Sequence, residues 1–170
     1  QQQRTTAIVK TSAKGGYYID VFRSKKVEGG DKTHDYFYHN LGQTLTLTAA
    51  DGSDLNLQPT EELAFAGAHL YAYSYLYDKK VAATNKDVKA TFTIDMKDKD
   101  GDDIYMNLWM KGEPDREVFT ALAPMTEGLS RTPNMPYNIK EQPTLTFVAR
   151  QHGEAWNRPF VSIYEPSTKK

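Results

Sequence analysis

Gln43-Thr44-Leu45-Thr46-Leu47-Thr48 alternates polar and apolar residues, so Leu45 and Leu47 share one face of an extended chain and the threonines share the other. A half-buried β-strand has this pattern, and an amphipathic helix does not. The same alternation recurs in both directions. Thr5 to Thr11 is a first strand, with Ala7 and Val9 on one face. Gly15-Gly16 makes a turn into Tyr17 to Arg23, where Tyr17, Ile19 and Val21 oppose Tyr18, Asp20 and Phe22. Gly29-Gly30-Asp31 breaks the chain before Thr33 to Asn40, and Asp51-Gly52-Ser53-Asp54 is the next turn.

Downstream, strands are expected at His69 to Tyr77, Val88 to Asp95, Ile104 to Lys111, Glu117 to Leu122, Thr144 to Arg150 and Phe160 to Glu165. About ten strands at this spacing predict an all-β protein, an antiparallel β-sandwich. Pro59 to Ala66 is expected to form one helical turn with Thr60 as its N-cap. Ala123 to Gln142 holds Pro124, Pro133 and Pro136 without periodicity, a long proline-rich loop of the kind that carries function or moves. With no internal repeat and no low-complexity linker, residues 1–170 are read as a single β-sandwich domain, a fragment of a larger multidomain protein.

Composition narrows the function. The net charge is −1, from 21 basic and 22 acidic residues, and the basic residues come in ones and twos. Nucleic-acid and anionic-membrane partners, which need clustered positive charge, are not expected. There is no cysteine, which excludes disulfides, thiolate metal sites and a cysteine nucleophile. No apolar stretch approaches the roughly 20 residues of a membrane span, and no signal-peptide pattern opens the chain. The opening Gln1-Gln2-Gln3, without Met, reads as a processed protein or an excised piece.

Several groups invite chemistry. His34 and His39 have opposite parity on one strand, so their rings point to opposite faces and do not share a metal ion. His69 and His152 stand alone. Asp98, Asp100, Asp102 and Asp103 resemble part of a calcium loop, but Met96 and Asn107 stand where an EF-hand needs its first and last ligands. A solvated hairpin tip is the simpler reading. His69, Tyr71, Tyr73, Tyr75 and Tyr77 share parity and read either as a sugar-stacking row or, the preferred reading, as tyrosines packed between layers. Trp109, alternating with leucine and methionine, reads as core. Trp156, in a turn spanning 153–159, either meets a ligand or caps the core. Arg131, in the proline-rich loop, suits a carboxylate, or pairs with Glu127. Nucleophile elbows, phosphate loops, zinc-protease and dinucleotide motifs are all missing.

Gly16-Tyr17-Tyr18-Ile19-Asp20-Val21-Phe22-Arg23, then Gly29-Gly30, then His34-Asp35-Tyr36-Phe37-Tyr38-His39, resembles a strand region of heparinase II/III-like proteins. Arg158-Pro159-Phe160-Val161-Ser162-Ile163-Tyr164-Glu165-Pro166 resembles a late strand of their β-domain. The resemblance implies a parent lyase with an α/α-toroid followed by a β-sandwich, cleaving acidic polysaccharides such as glycosaminoglycans by β-elimination. In such enzymes a tyrosine or histidine removes the proton beside a uronic carboxylate, and most of that machinery belongs to the toroid. A further histidine and a metal come from a His-x-His segment, which this chain lacks.

No catalytic residue, metal ligand or cofactor is therefore carried over. The expectation is a non-catalytic module bracing the toroid and lining the substrate cleft, with Arg131, Tyr137 and Trp156 as the carbohydrate-contact residues. Its partners would be the toroid and, through the parent protein, an acidic polysaccharide. Self-association and a periplasmic or secreted location complete the picture. Two alternatives stay open: a free-standing carbohydrate-binding module, and a compact β-sandwich lyase or glycosidase.

Overall fold

In the computed structural model, which describes residues 1–64, 71–96, 101–126, 128, 131, 139 and 141–168, two antiparallel sheets face each other. The strands are β1 (Gln2–Lys10), β2 (Gly16–Ser24), β3 (Thr33–Asn40), β4 (Thr44–Ala49), β5 (Gln58–Pro59), β6 (Tyr77–Ala83), β7 (Val88–Ile94), β8 (Ile104–Met110), β9 (Arg116–Ala123), β10 (Thr144–His152) and β11 (Ala155–Ser167). One sheet has the order β1-β2-β11-β8-β7-β4 and the other β3-β10-β9-β6-β5. The expected β-sandwich is what is found.

Alternation builds the core. Leu47, Ala90, Phe92, Leu108, Met110 and Phe160 face inward from the six-stranded sheet, against Tyr36, Val118, Phe147 and Ala149 of the other. Strand pairing alone does not align the two layers. A buried polar cluster does so, and it joins all three segments that carry the family resemblance. Asp20 of β2, 3% exposed, accepts bonds from the Tyr36 hydroxyl of β3 (2.6 Å) and from Arg4 of β1 (2.9 and 2.7 Å). Tyr36 also bonds Ser162 (3.2 Å) and Tyr164 of β11. A buried carboxylate survives only when its acceptor sites are filled, and this one is filled from two other strands, β1 and β3.

Four expectations need correction. Tyr71–Tyr75 is a 3₁₀ turn, not a strand, so the tyrosines do not form a row; Tyr73 turns inward while Tyr75 stays 63% exposed. His69 lies outside the described residues. The segment after Pro59 forms no helix over its described part: the Thr60 hydroxyl accepts from Glu62 N–H, but no helical turn follows. Trp109 is not core, because its neighbours Leu108 and Met110 take the inward positions and leave it on the outer face. Trp156 is on strand β11, whose pairing with β2 is irregular between Ala155 and Phe160. The aspartate-rich tip at 97–100 falls outside the described residues.

Candidate functional site

The five-stranded sheet is covered on part of its outer face as well. Phe119, Ala121 and Val148 point away from the main core, and Leu63, Leu76 and Tyr73 from the segment before β6 cover them. This cover does not extend fully over β3, and a cleft of about 590 Å³ remains. Asp35, Phe37 and His39, every second residue of β3, form its floor, with Tyr73, Tyr75 and Pro124 on its walls.

Register dictates the polar bonds. Arg150 of β10 is opposite Asp35, and Thr146 is opposite His39. Arg150 grips Asp35 with two parallel bonds, Nε at 2.7 Å and Nη2 at 2.8 Å, while its Nη1 reaches Glu62 at 3.4 Å. Tyr73 donates its hydroxyl to the same carboxylate at 2.6 Å. Phe37 lies edge-on to Tyr73 at 5.3 Å and stacks on His39 at 6.0 Å.

These contacts set the protonation states. Burial, and then the bond to Asp35, push the Tyr73 phenol well above its ordinary range, so it keeps its proton. The Asp35 bond, opposed by burial, holds the Arg150 guanidinium charged more firmly than usual. Burial pushes the His39 imidazole down, which keeps it neutral near pH 7. Its Nδ1 bonds Thr146 Oγ1 at 2.8 Å, and its Nε2 has no partner among the described residues. The floor thus combines aromatic faces, a carboxylate saturated with donors and one neutral imidazole. That chemistry suits an uncharged ring with hydroxyls at its edge, since among the described residues that line the cleft there is no lysine or arginine to meet a ligand carboxylate.

His34 bonds Asp31 at 2.5 Å, away from His39, as their parity requires. Among the described residues no three histidines or carboxylates gather as a metal site.

The residues singled out from sequence do not converge. Arg131 is exposed in the connection between β9 and β10 and is not among the residues that line the cleft. Tyr137 and Glu127 lie outside the described residues. Trp156 lies at the other end of β10, whose nine residues span about 27 Å. There its ring is 4.6 Å from the Lys25 ammonium, and its carbonyl accepts from Arg23. The cleft residues Asp35, Phe37, Tyr73 and Arg150 were missed. The signal was present in His34-Asp35-Tyr36-Phe37-Tyr38-His39, whose odd positions all share one face.

Over 172 aligned residues, the chain is 36% identical to an endo-acting ulvan lyase of Formosa agariphila. The chain is homologous to part of a polysaccharide lyase. The alignment takes in 99% of this chain and 20% of that protein, so the chain spans about one fifth of the relative's length. No protein-family model and no solved structure matches.

Proposed function

We propose that this chain is a non-catalytic β-sandwich of a polysaccharide lyase with heparinase II/III-like architecture. In this reading it braces an α/α-toroid and lines one side of the substrate cleft. The observation that carries the proposal is the similarity to the ulvan lyase along nearly the whole chain. The substrate assigned to the parent protein is an acidic polysaccharide, ulvan before glycosaminoglycans. A polymeric substrate agrees with a periplasmic or secreted location.

The cleft supports the non-catalytic part. β-Elimination needs a base beside a uronic carboxylate and a cation to neutralise that carboxylate. Tyr73, His39 and Arg150 are the right residue types in one place. However, Tyr73 is held protonated by burial and by its bond to Asp35, and Arg150 is paired with the same carboxylate. What remains is a sugar-sized apolar floor with hydrogen-bonding edges, which also suits a carbohydrate-binding module.

The test is to confirm folding by circular dichroism and incubate the chain with ulvan, heparan, chondroitin, hyaluronan and alginate, following ultraviolet absorbance of unsaturated uronate. No turnover is expected. Sustained turnover of any of these would make the chain a self-sufficient lyase and sink the proposal.

A further inference from the structure

The outer face of the six-stranded sheet has a different character from the cleft. Strand register aligns Ala7, Ile19, Ile163, Trp109, Lys89 and Thr48 in one row across all six strands. The chain has two tryptophans. Trp109 is on this face, and Trp156 follows the inward, fully buried Ala155 and so turns outward too. Ala155, next to Trp156, pairs with Ser24, and Ile163, which pairs with Trp109, pairs with Ile19, so the two indoles are about 16 Å apart along the strand direction.

Each indole is met by a lysine. Lys25 Nζ lies 4.6 Å from the Trp156 ring centre, and Lys89 Nζ lies 5.3 Å from that of Trp109. Arg23, on the same face, spends its guanidinium on the Trp156 carbonyl. None of these three cations has a carboxylate within ion-pair distance among the described residues. The carboxylates at that end are engaged elsewhere: Glu154 on the Trp156 and Asn157 amides, Glu113 on Lys111, Asp87 on the Gly112 amide. Of the outward strand positions in the six-stranded sheet, Glu165 alone is acidic; it pairs with Asn107, diagonal to Trp109, and forms no ion pair with Lys89, Lys25 or Arg23 among the described residues. A chain with net charge −1 has therefore gathered tryptophans and uncompensated cations on one face.

We infer that this face binds an acidic glycan, with Trp109 and Trp156 as stacking platforms and Lys89, Lys25 and Arg23 as the partners of its carboxylates. The inference rests on the reading of the chain as part of a protein that acts on an acidic polysaccharide. Charge complementarity selects the occupant. Both indoles are half-buried, and a lysine resting on an indole near the surface gains only about 0.5–1 kcal/mol. A carboxylate offers the ammonium a direct ion pair and draws it off the ring. The indole face is then bare for the apolar face of the sugar that carries the carboxylate, so ion pairing and stacking occur together. A neutral glycan has no means of removing the lysines.

Because both tryptophans are on this face, intrinsic tryptophan fluorescence reports on it directly. Ulvan oligosaccharides titrated into the chain are expected to shift tryptophan emission saturably, and raised salt is expected to weaken the response. Trp109→Phe and Trp156→Phe each leave one reporter, and both reporters should respond. Lys25→Glu and Lys89→Glu, with unchanged melting curves, should each weaken binding about tenfold. Lys80→Glu, a matched charge reversal at an exposed position of β6 on the other sheet, should leave the response in place, and dextran oligosaccharides should produce none. Unchanged emission with ulvan, an equal response to dextran, or wild-type affinity in both lysine variants would overturn the inference. Its failure without turnover leaves the lyase-module reading standing; turnover by the chain removes that reading whatever the fluorescence shows.

Discussion

Arg150 and Asp35, 115 residues apart along the chain, are joined by two parallel bonds of 2.7 and 2.8 Å across neighbouring strands. The pair ties β3 to β10 at one rung of their ladder and lies in the floor of the cleft. Both side chains are largely shielded from water, at 15% and 9% exposed. Removing one partner strands the other's charge, at a cost of about 3–5 kcal/mol. Asp35→Ala should therefore lower the urea midpoint sharply. The double replacement Asp35→Leu with Arg150→Met should recover most of the loss, because it leaves no buried charge. Tyr73→Phe should cost about 1 kcal/mol.

High pH should unfold the protein through its tyrosines. Burial foremost raises the phenols of Tyr36, Tyr73 and Tyr164, and pushes Tyr38 up to about 12. The folded state thus holds these protons more tightly than the unfolded chain, whose tyrosines titrate near pH 10. The stabilisation is complete below about pH 10 and is lost as pH rises toward about 12 and beyond. Each such tyrosine steepens the loss by about 1.4 kcal/mol per pH unit. Tyrosinate absorbance should rise in two stages, exposed phenols first and the buried set only with the loss of β-sheet circular dichroism.

Acid should act through His39. Burial lowers its pKa, so the unfolded chain takes up a proton there before the folded one does. Stability from this residue is present above about pH 6.5 and is lost as pH falls below it. His39→Leu should flatten the melting temperature between pH 7 and pH 5 relative to the parent chain. An unchanged slope would show that His39 is not the group responsible.

Gly112 tests backbone packing. A Cβ there would fall inside the contact distance of Asn85 O and of Lys86 C and O, all of them backbone atoms that cannot swing away. The Gly112 amide also anchors the Asp87 carboxylate at 2.7 Å. Gly112→Ala should destabilise by about 1–3 kcal/mol.

Where strands bury one face, alternation made them legible, and Thr33 to Asn40 was read to its ends. The stretch before β6 misled because alternating tyrosines and small residues satisfy a 3₁₀ turn as well as a strand. Local bonds decide for the turn: Ser74 Oγ to the Tyr71 carbonyl at 2.6 Å, and Leu76 N–H to the Tyr73 carbonyl at 3.2 Å. Strand β6 itself was hidden by Asp78-Lys79-Lys80 and by its shifted register between Tyr77 and Lys80. The cleft was half legible. Parity applied to the two histidines of β3 also places Asp35, Phe37 and His39 together. That Arg150 and Tyr73 would meet Asp35 depends on which distant strand lies beside β3 and on how the chain crosses above it, and alternation has no information on either.

The order of strands has a consequence for how the domain comes into being. β2 lies beside β11 and β3 beside β10, so residues near the start of the segment wait for residues near its end. Among the described residues four of the nine pairs, β1–β2, β5–β6, β7–β8 and β9–β10, join strands adjacent in sequence, and the other five cross between distant parts of the segment. Contacts this distant make folding slow and leave intermediates with open strand edges. During synthesis the early hairpin emerges long before its neighbour β11, and neither sheet can complete its centre until the final strands leave the ribosome.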